Sequence, residues 1–120
     1  MNIEELREYC LQFPASEECF PFDDKTLVFK VKGKMFALTY LYKSELKVNL
    51  KFSEDYCLKL REEYSEIEPG FHMHKKYWNT VNLTGNLSDD FIKNLIKVSY
   101  KEVVNKLTNK QRSELQNFGN

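Results

Sequence analysis

Residues 26–52 read TLVFKVKGKMFALTYLYKSELKVNLKF, and the alternation within this stretch decides the fold. In residues 45–52, Leu46, Val48, Leu50 and Phe52 fall on one side of an extended chain, and Glu45, Lys47, Asn49 and Lys51 on the other. Successive side chains of a strand point to opposite faces, so this run predicts a sheet with one covered and one wet face. Residues 26–31 alternate Leu27, Phe29 and Val31 against Val28 and Lys30, while residues 34–41 are apolar on both sets, as a central strand requires. Lys32-Gly33 between them predicts a tight turn, because glycine supplies the positive φ that hairpin turns need.

Helical periodicity flanks these strands. Residues 2–13 place Ile3, Leu6, Cys10 and Phe13 at spacings of three and four, an amphipathic helix that Pro14 stops. Residues 17–24 read as loop or short edge strand, since Pro21 cannot donate to a ladder. Ser53 offers an N-cap, with Glu54 and Asp55 in the first turn of a helix that carries Tyr56, Leu60 and Tyr64 on one stripe. Pro69-Gly70 ends this pattern and opens a loop expected over about residues 72–76, and residues 77–83 predict the returning strand. Ser88 caps a long helix to about Leu107, with Ile92, Leu95, Ile96, Ser99 and Val103 on one face. Thr108 and Gln111 have the spacing of a capping box for a final helix. The order, roughly α-β-β-β-α-β-β-α-α, predicts a single α+β domain over residues 1–120, an antiparallel sheet with helices packed on one face.

Composition narrows the function classes. Among 120 residues, 42% are hydrophobic and 14% aromatic, enough apolar content to exclude a disordered chain. No apolar run approaches the length of about 18 residues that a membrane span needs. The start, MNIEELREYC, is acidic and amphipathic, unlike a signal peptide, so a cytoplasmic location and a monomeric state are expected. Cys10, Cys19 and Cys57 are odd in number and form no C-x-x-C pair, which fits buried, reduced thiols. The zero net charge is unevenly spread: residues 1–24 carry seven acids against one Arg, residues 25–52 seven Lys against one acid.

Residues 68–81, EPGFHMHKKYWNTV, hold both histidines and the only Trp. On a regular strand His72 and His74 would share a face, but zinc wants at least three protein ligands and no third has a recognised spacing, so no metal site is expected. The acids at Glu4, Glu5 and Glu8 read as a solvated helix face rather than an iron site. No nucleophile elbow and no phosphate-cradling glycine loop occurs, so neither catalysis nor a cofactor is expected. The candidate phosphate contacts are Lys30, Lys32 and Lys34 around the first turn, Lys51 on the third strand, and Lys75 and Lys76 near the second tip. Lysines on exposed strands also keep sheets from pairing with other chains. His72, His74, Trp78 and Asn79 form a candidate ligand pocket.

The motifs collected so far resemble the MmcQ/YjbR family. The resemblance rests on Glu-Cys-Phe-Pro-Phe at 18–22, Val-Phe-Lys-Val-x-Gly-Lys-Met-Phe-Ala at 28–37, and Leu-Lys at 50–51. It continues through Leu-Arg at 60–61, Pro-Gly-Phe-His-Met-x-Lys-Lys-x-Trp-Asn-Thr-Val at 69–81, and Ser-Tyr-x-x-Val at 99–103. It implies a CyaY-like, double-wing α+β domain with a DNA-binding label and no assigned reaction, cofactor or catalytic residue. This sequence departs from the family pattern at His74, usually Asn, at Tyr77, often His, and at Lys32, usually Gly. The expected function is therefore a DNA-binding module whose basic hairpin tips contact phosphates. The alternative is a protein-interaction or small-ligand-binding domain, with metal binding a more distant third.

Overall fold

The computed structural model describes residues 1–118, and in it residues 26–52 form the middle of a six-stranded antiparallel sheet. The strands are β1 (Ser16–Cys19), β2 (Thr26–Val31), β3 (Lys34–Tyr40), β4 (Lys47–Lys51), β5 (Ile67–Pro69) and β6 (Trp78–Asn82), in the spatial order β1-β2-β3-β4-β6-β5. The helices are α1 (Ile3–Leu11), α2 (Glu54–Glu63), α3 (Asp89–Val104) and α4 (Asn109–Phe118). This is an α+β fold in which the apolar stripes of all four helices join one core cluster with the sheet residues Phe29, Val48, Leu50 and Val81.

Local signals account for the helix boundaries. Asn2 and Glu5 form a reciprocal capping box on α1, and the Ser53 and Ser88 hydroxyls accept from the amides of Tyr56 and Phe91. Thr108 and Gln111 bond to each other's backbone amides at the start of α4. Each cap satisfies amides that the first helical turn leaves without carbonyl partners. Two boundaries differ from the sequence reading. The edge strand is real, running from Ser16 opposite Val31 to Cys19 opposite Val28, and it ends before Pro21 removes a donor. The long helix stops at Val104, and the turn after it still lets Leu107 reach the core.

At the β2–β3 hairpin, Lys32 and Gly33 both have positive φ, +50° and +79°, as a type I′ turn demands. A lysine therefore occupies backbone space that favours glycine, and its ammonium lies 2.6 Å from Glu114 on α4.

The central seam between β3 and β4 is short, with only Ala37 opposite Leu50 and Leu38 opposite Asn49. A bulge explains one end. The β2–β3 register slips between Phe29 and Lys30, which leaves Phe36 as an extra residue, so that Phe36 and Ala37 both enter the helix-side core. The freed Phe36 carbonyl accepts from the Ser99 hydroxyl at 2.6 Å, and the Ser99 hydroxyl oxygen in turn accepts from the Lys51 amide at 2.8 Å. A single α3 side chain thus replaces the ladder bond that would otherwise join the two strands. At the other end, the Thr39 hydroxyl donates to the Lys47 carbonyl at 2.7 Å. Replacing Ser99 by Ala leaves a buried carbonyl and a part-buried amide without this partner, and urea unfolding is expected to show a loss of about 1–3 kcal/mol. A loss near zero would mean that the seam closes without the hydroxyl.

Candidate functional site

The face of the sheet opposite the helices is not simply wet. The segment between β5 and β6 folds back across its centre, where the backbone of Phe71 docks on a cross-strand pair, Asn49 and Thr80. The Phe71 amide donates to the Thr80 hydroxyl at 2.8 Å, that hydroxyl donates to the Asn49 side-chain oxygen, and the Asn49 amide group donates to the Phe71 carbonyl at 3.1 Å. Every polar atom in the ring finds a partner, which is why two buried polar residues are tolerated there. Asn49 had read as solvent-facing because its alternation places it away from the core, and nothing local shows that a loop covers it.

The loop is also gripped from behind. Arg61 on α2 donates through Nε to the Asn79 side-chain oxygen at 2.6 Å, and through Nη2 to the carbonyls of Lys75 and of Trp78, the latter at 3.3 Å. Asn79, fully buried, passes its own amide to the Cys57 carbonyl at 3.1 Å. Gly70 is required by space rather than dihedral angle, since an added Cβ would lie 2.8 Å from the Trp78 Cβ and 2.9 Å from the Trp78 carbonyl. His72 adopts a left-handed backbone, φ +58°, and its ring packs 4.0 Å from that of Phe71 and 6.2 Å from that of Tyr40, measured between centroids. Replacing Arg61 by Ala removes charge-assisted bonds and orphans the buried Asn79 oxygen. The expected result is a loss of about 2–3 kcal/mol in urea unfolding, with faster proteolysis confined at first to residues 70–77.

Around this loop the open face forms adjoining cavities. One, of about 590 Å³, lies where β3 and β4 part, floored by Met35 and Trp78 and ringed by Lys30, Lys34, Lys51 and Lys106. Val103, near the end of α3, also lines it. No Asp or Glu among the described residues lines this cavity. Burial holds the Lys51 ammonium below the usual lysine range, and the charges of Lys106 and Lys34 push it the same way against the pull of Glu102. Lys106 has partial compensation, an ion pair with Glu102 at 3.4 Å, while Lys30, Lys34 and Lys51 have no ion pair among the described residues.

The second cavity, of about 500 Å³, shares Phe22, Met35 and Trp78 with the first and continues past Tyr40 and His72. A third, of about 400 Å³, shares Leu38 and Tyr40 with the second and is edged by Lys43, Lys47, Glu45 and Glu68. Lys43 lies 4.4 Å from the centre of the Phe71 ring.

The sequence candidates divide accordingly. Lys30, Lys34 and Lys51 come together in the acid-free cavity. Lys32 is paired with Glu114, Lys76 with Glu54 at 3.4 Å, and Lys75 donates to the Gly70 carbonyl at 3.1 Å. His72, His74 and Trp78 line the second cavity, although residues 71–77 form turns rather than the regular strand that would align the imidazoles. Asn79 does not join them, since it faces the helix side and serves the Arg61 clamp. No group of three His, Cys, Asp or Glu residues suited to a metal ion occurs among the described residues, and no helix described is long and apolar enough to cross a membrane. Cys10 and Cys57 are buried and Cys19 half-buried, and burial pushes the Cys10 and Cys57 thiols up, away from reactivity. Sequence reasoning missed Phe22, Tyr40 and Lys106. Two aromatics flanking Pro21 in a loop were the available signal for Phe22, while Lys106 carried none.

Comparison with known proteins places this geometry. The YjbR family model matches residues 11–102. The uncharacterized protein YjbR of Escherichia coli strain K12 is 35% identical over 115 residues, covering 96% of this chain and 98% of that protein. The uncharacterized protein YbdF of Escherichia coli O157:H7 is 31% identical over 113 residues, covering 94% and 93%. Among solved structures, the Deinococcus radiodurans protein DR2400, with a DUF419 domain, superposes with a TM-score of 0.90 at 39% identity over 96% of this chain and 88% of that one. A Pseudomonas syringae protein gives a TM-score of 0.74 at 25% identity over 85% and 98%.

Proposed function

The chain belongs to the YjbR family, and from its lysine-ringed cavity we propose that it is a DNA-binding module that holds the phosphate backbone on the open sheet face. The observation that carries this reading is the convergence of Lys30, Lys34, Lys51 and Lys106 around one acid-free cavity. Four ammonium groups brought together repel one another, and the Lys51 ammonium, held below the usual lysine range first by burial, is pushed the same way by Lys106 and Lys34. A phosphate entering the cavity relieves the repulsion and releases its own condensed counterions, which favours polyanions over single charges. The lysines at the hairpin tips play a smaller part, because the charges of Lys32 and Lys76 are matched by Glu114 and Glu54. Binding of this kind positions the backbone without reading bases.

Fluorescence anisotropy of labelled DNA against salt concentration tests the reading. Affinity should fall steeply as salt rises, and each of Lys30→Ala, Lys34→Ala, Lys51→Ala and Lys106→Ala should reduce the slope of log affinity against log salt by about one. Lys32→Ala and Lys76→Ala should change it less. Absence of salt-sensitive binding at low ionic strength would sink the proposal.

A second reading rests on the cavity beside His72 and Trp78, which is large enough for the aromatic body of a small ligand whose anionic group lies in the adjoining lysine cavity. It predicts tight binding of a small anion and no gain from a longer nucleic acid.

A further inference from the structure

We infer that the cavity bounded by Phe22, Tyr40 and His72 receives one unpaired base of the bound strand, so that the preferred partner is DNA carrying an unstacked nucleotide rather than an intact duplex. The inference rests on the DNA-binding reading above and names what that site selects. Its basis is the junction of two unlike cavities. The lysine cavity and the aromatic cavity share Phe22, Met35 and Trp78 as common walls, so a group held by the lysines lies beside the aromatic space. A nucleotide has the same division, a charged phosphate joined through a sugar to a flat, largely apolar base.

Burial decides which aromatic ring could stack. Trp78 is only 7% exposed and leaves little free ring for stacking, whereas Phe22 is 65% exposed and lines both cavities. A base entering from the lysine side would stack on Phe22 and cover Met35 and Leu38. Its polar edge would meet the polar groups that line the cavity, among them Asp23 and Tyr40. Asp23 is ionised and acceptor-only, its pKa held down by the Lys25 amide, so it suits a base edge that donates and repels a phosphate. The single carboxylate of the aromatic cavity thus orients the nucleotide, with the base inward and the phosphate toward Lys30, Lys34 and Lys51. A base within a duplex is stacked and paired and cannot enter, which makes the site selective for one already unstacked.

The experiment compares three DNA probes by anisotropy at one fixed salt concentration: an intact duplex, the same duplex with a one-nucleotide bulge, and the same bulge made abasic. The bulged probe should bind roughly tenfold or more tighter than its abasic twin, the range seen for base–aromatic stacking. It should also quench the fluorescence of Trp78, the only Trp in the chain, while the abasic probe should not. Phe22→Ala, at an exposed loop position, should bring the bulged-to-abasic ratio close to one. Lys34→Ala should weaken both probes and leave the ratio standing. Equal affinity for the bulged and abasic probes, with lysine dependence intact, would overturn this inference and leave the DNA-binding reading in place. Failure of every probe to bind at low salt would overturn both. A free nucleoside monophosphate that binds as tightly as the bulged DNA would overturn the choice of DNA and favour a small-nucleotide site.

Discussion

Ser99 stands between β3 and β4, donating to one strand and accepting from the other, and the shape of the open face depends on that wedge. A continuous ladder, extended in the register of Ala37 with Leu50, would pair Phe36 directly with Lys51 and close the space between the strands. The bulge at Phe36 and the Ser99 hydroxyl instead let the strands part while keeping every backbone group satisfied, so the gap carries little energetic penalty. Beside that gap the end of α3 and the turn after it add Val103 and Lys106 to a surface made otherwise mostly of strand residues. One hydrogen-bonded side chain on the packed face thus sets the size of a cavity on the other.

The second organising constraint is the loop before β6. It is held from the open side by the ring of Phe71, Thr80 and Asn49, and from the helix side by Arg61 through Asn79. These two grips lie on opposite faces of one strand, where alternate residues Asn79 and Thr80 reach in opposite directions. The loop can therefore be well placed although it has little regular structure of its own, and it presents His72 and Phe71 as a wall rather than a mobile flap. The cost appears as left-handed backbone at His72 and the close approach that Gly70 allows.

Charge and packing then act together. The basic excess of residues 25–52 is visible in composition, but folding divides it. Lys32 is neutralised by a carboxylate from the last helix, whereas Lys30, Lys34 and Lys51 meet a fourth lysine from the turn after α3, with no acid lining their cavity. Screening confines each ion pair's influence to about 8 Å, so this local arrangement matters more than the zero net charge.

Much of the fold was legible from local chemistry. Strand alternation set the sheet, serine and threonine caps set the helix starts, and Lys32-Gly33 marked the hairpin turn, because each of these depends on a few neighbouring residues. The importance of Ser99 was half legible: its place on the packing face of α3 could be read from periodicity, but not its partners 48 and 63 residues away. The resemblance pointed to Asn79 and His72 as part of one motif, and only the fold separated them, one into a structural clamp and the other onto a cavity wall. By itself the sequence determined the elements, their order and the local excess of lysine, since periodicity, capping and composition are local. The tertiary structure decided which lysines share a cavity, which are cancelled, and which aromatic ring stays in solvent, because those outcomes depend on contacts between residues far apart in the chain.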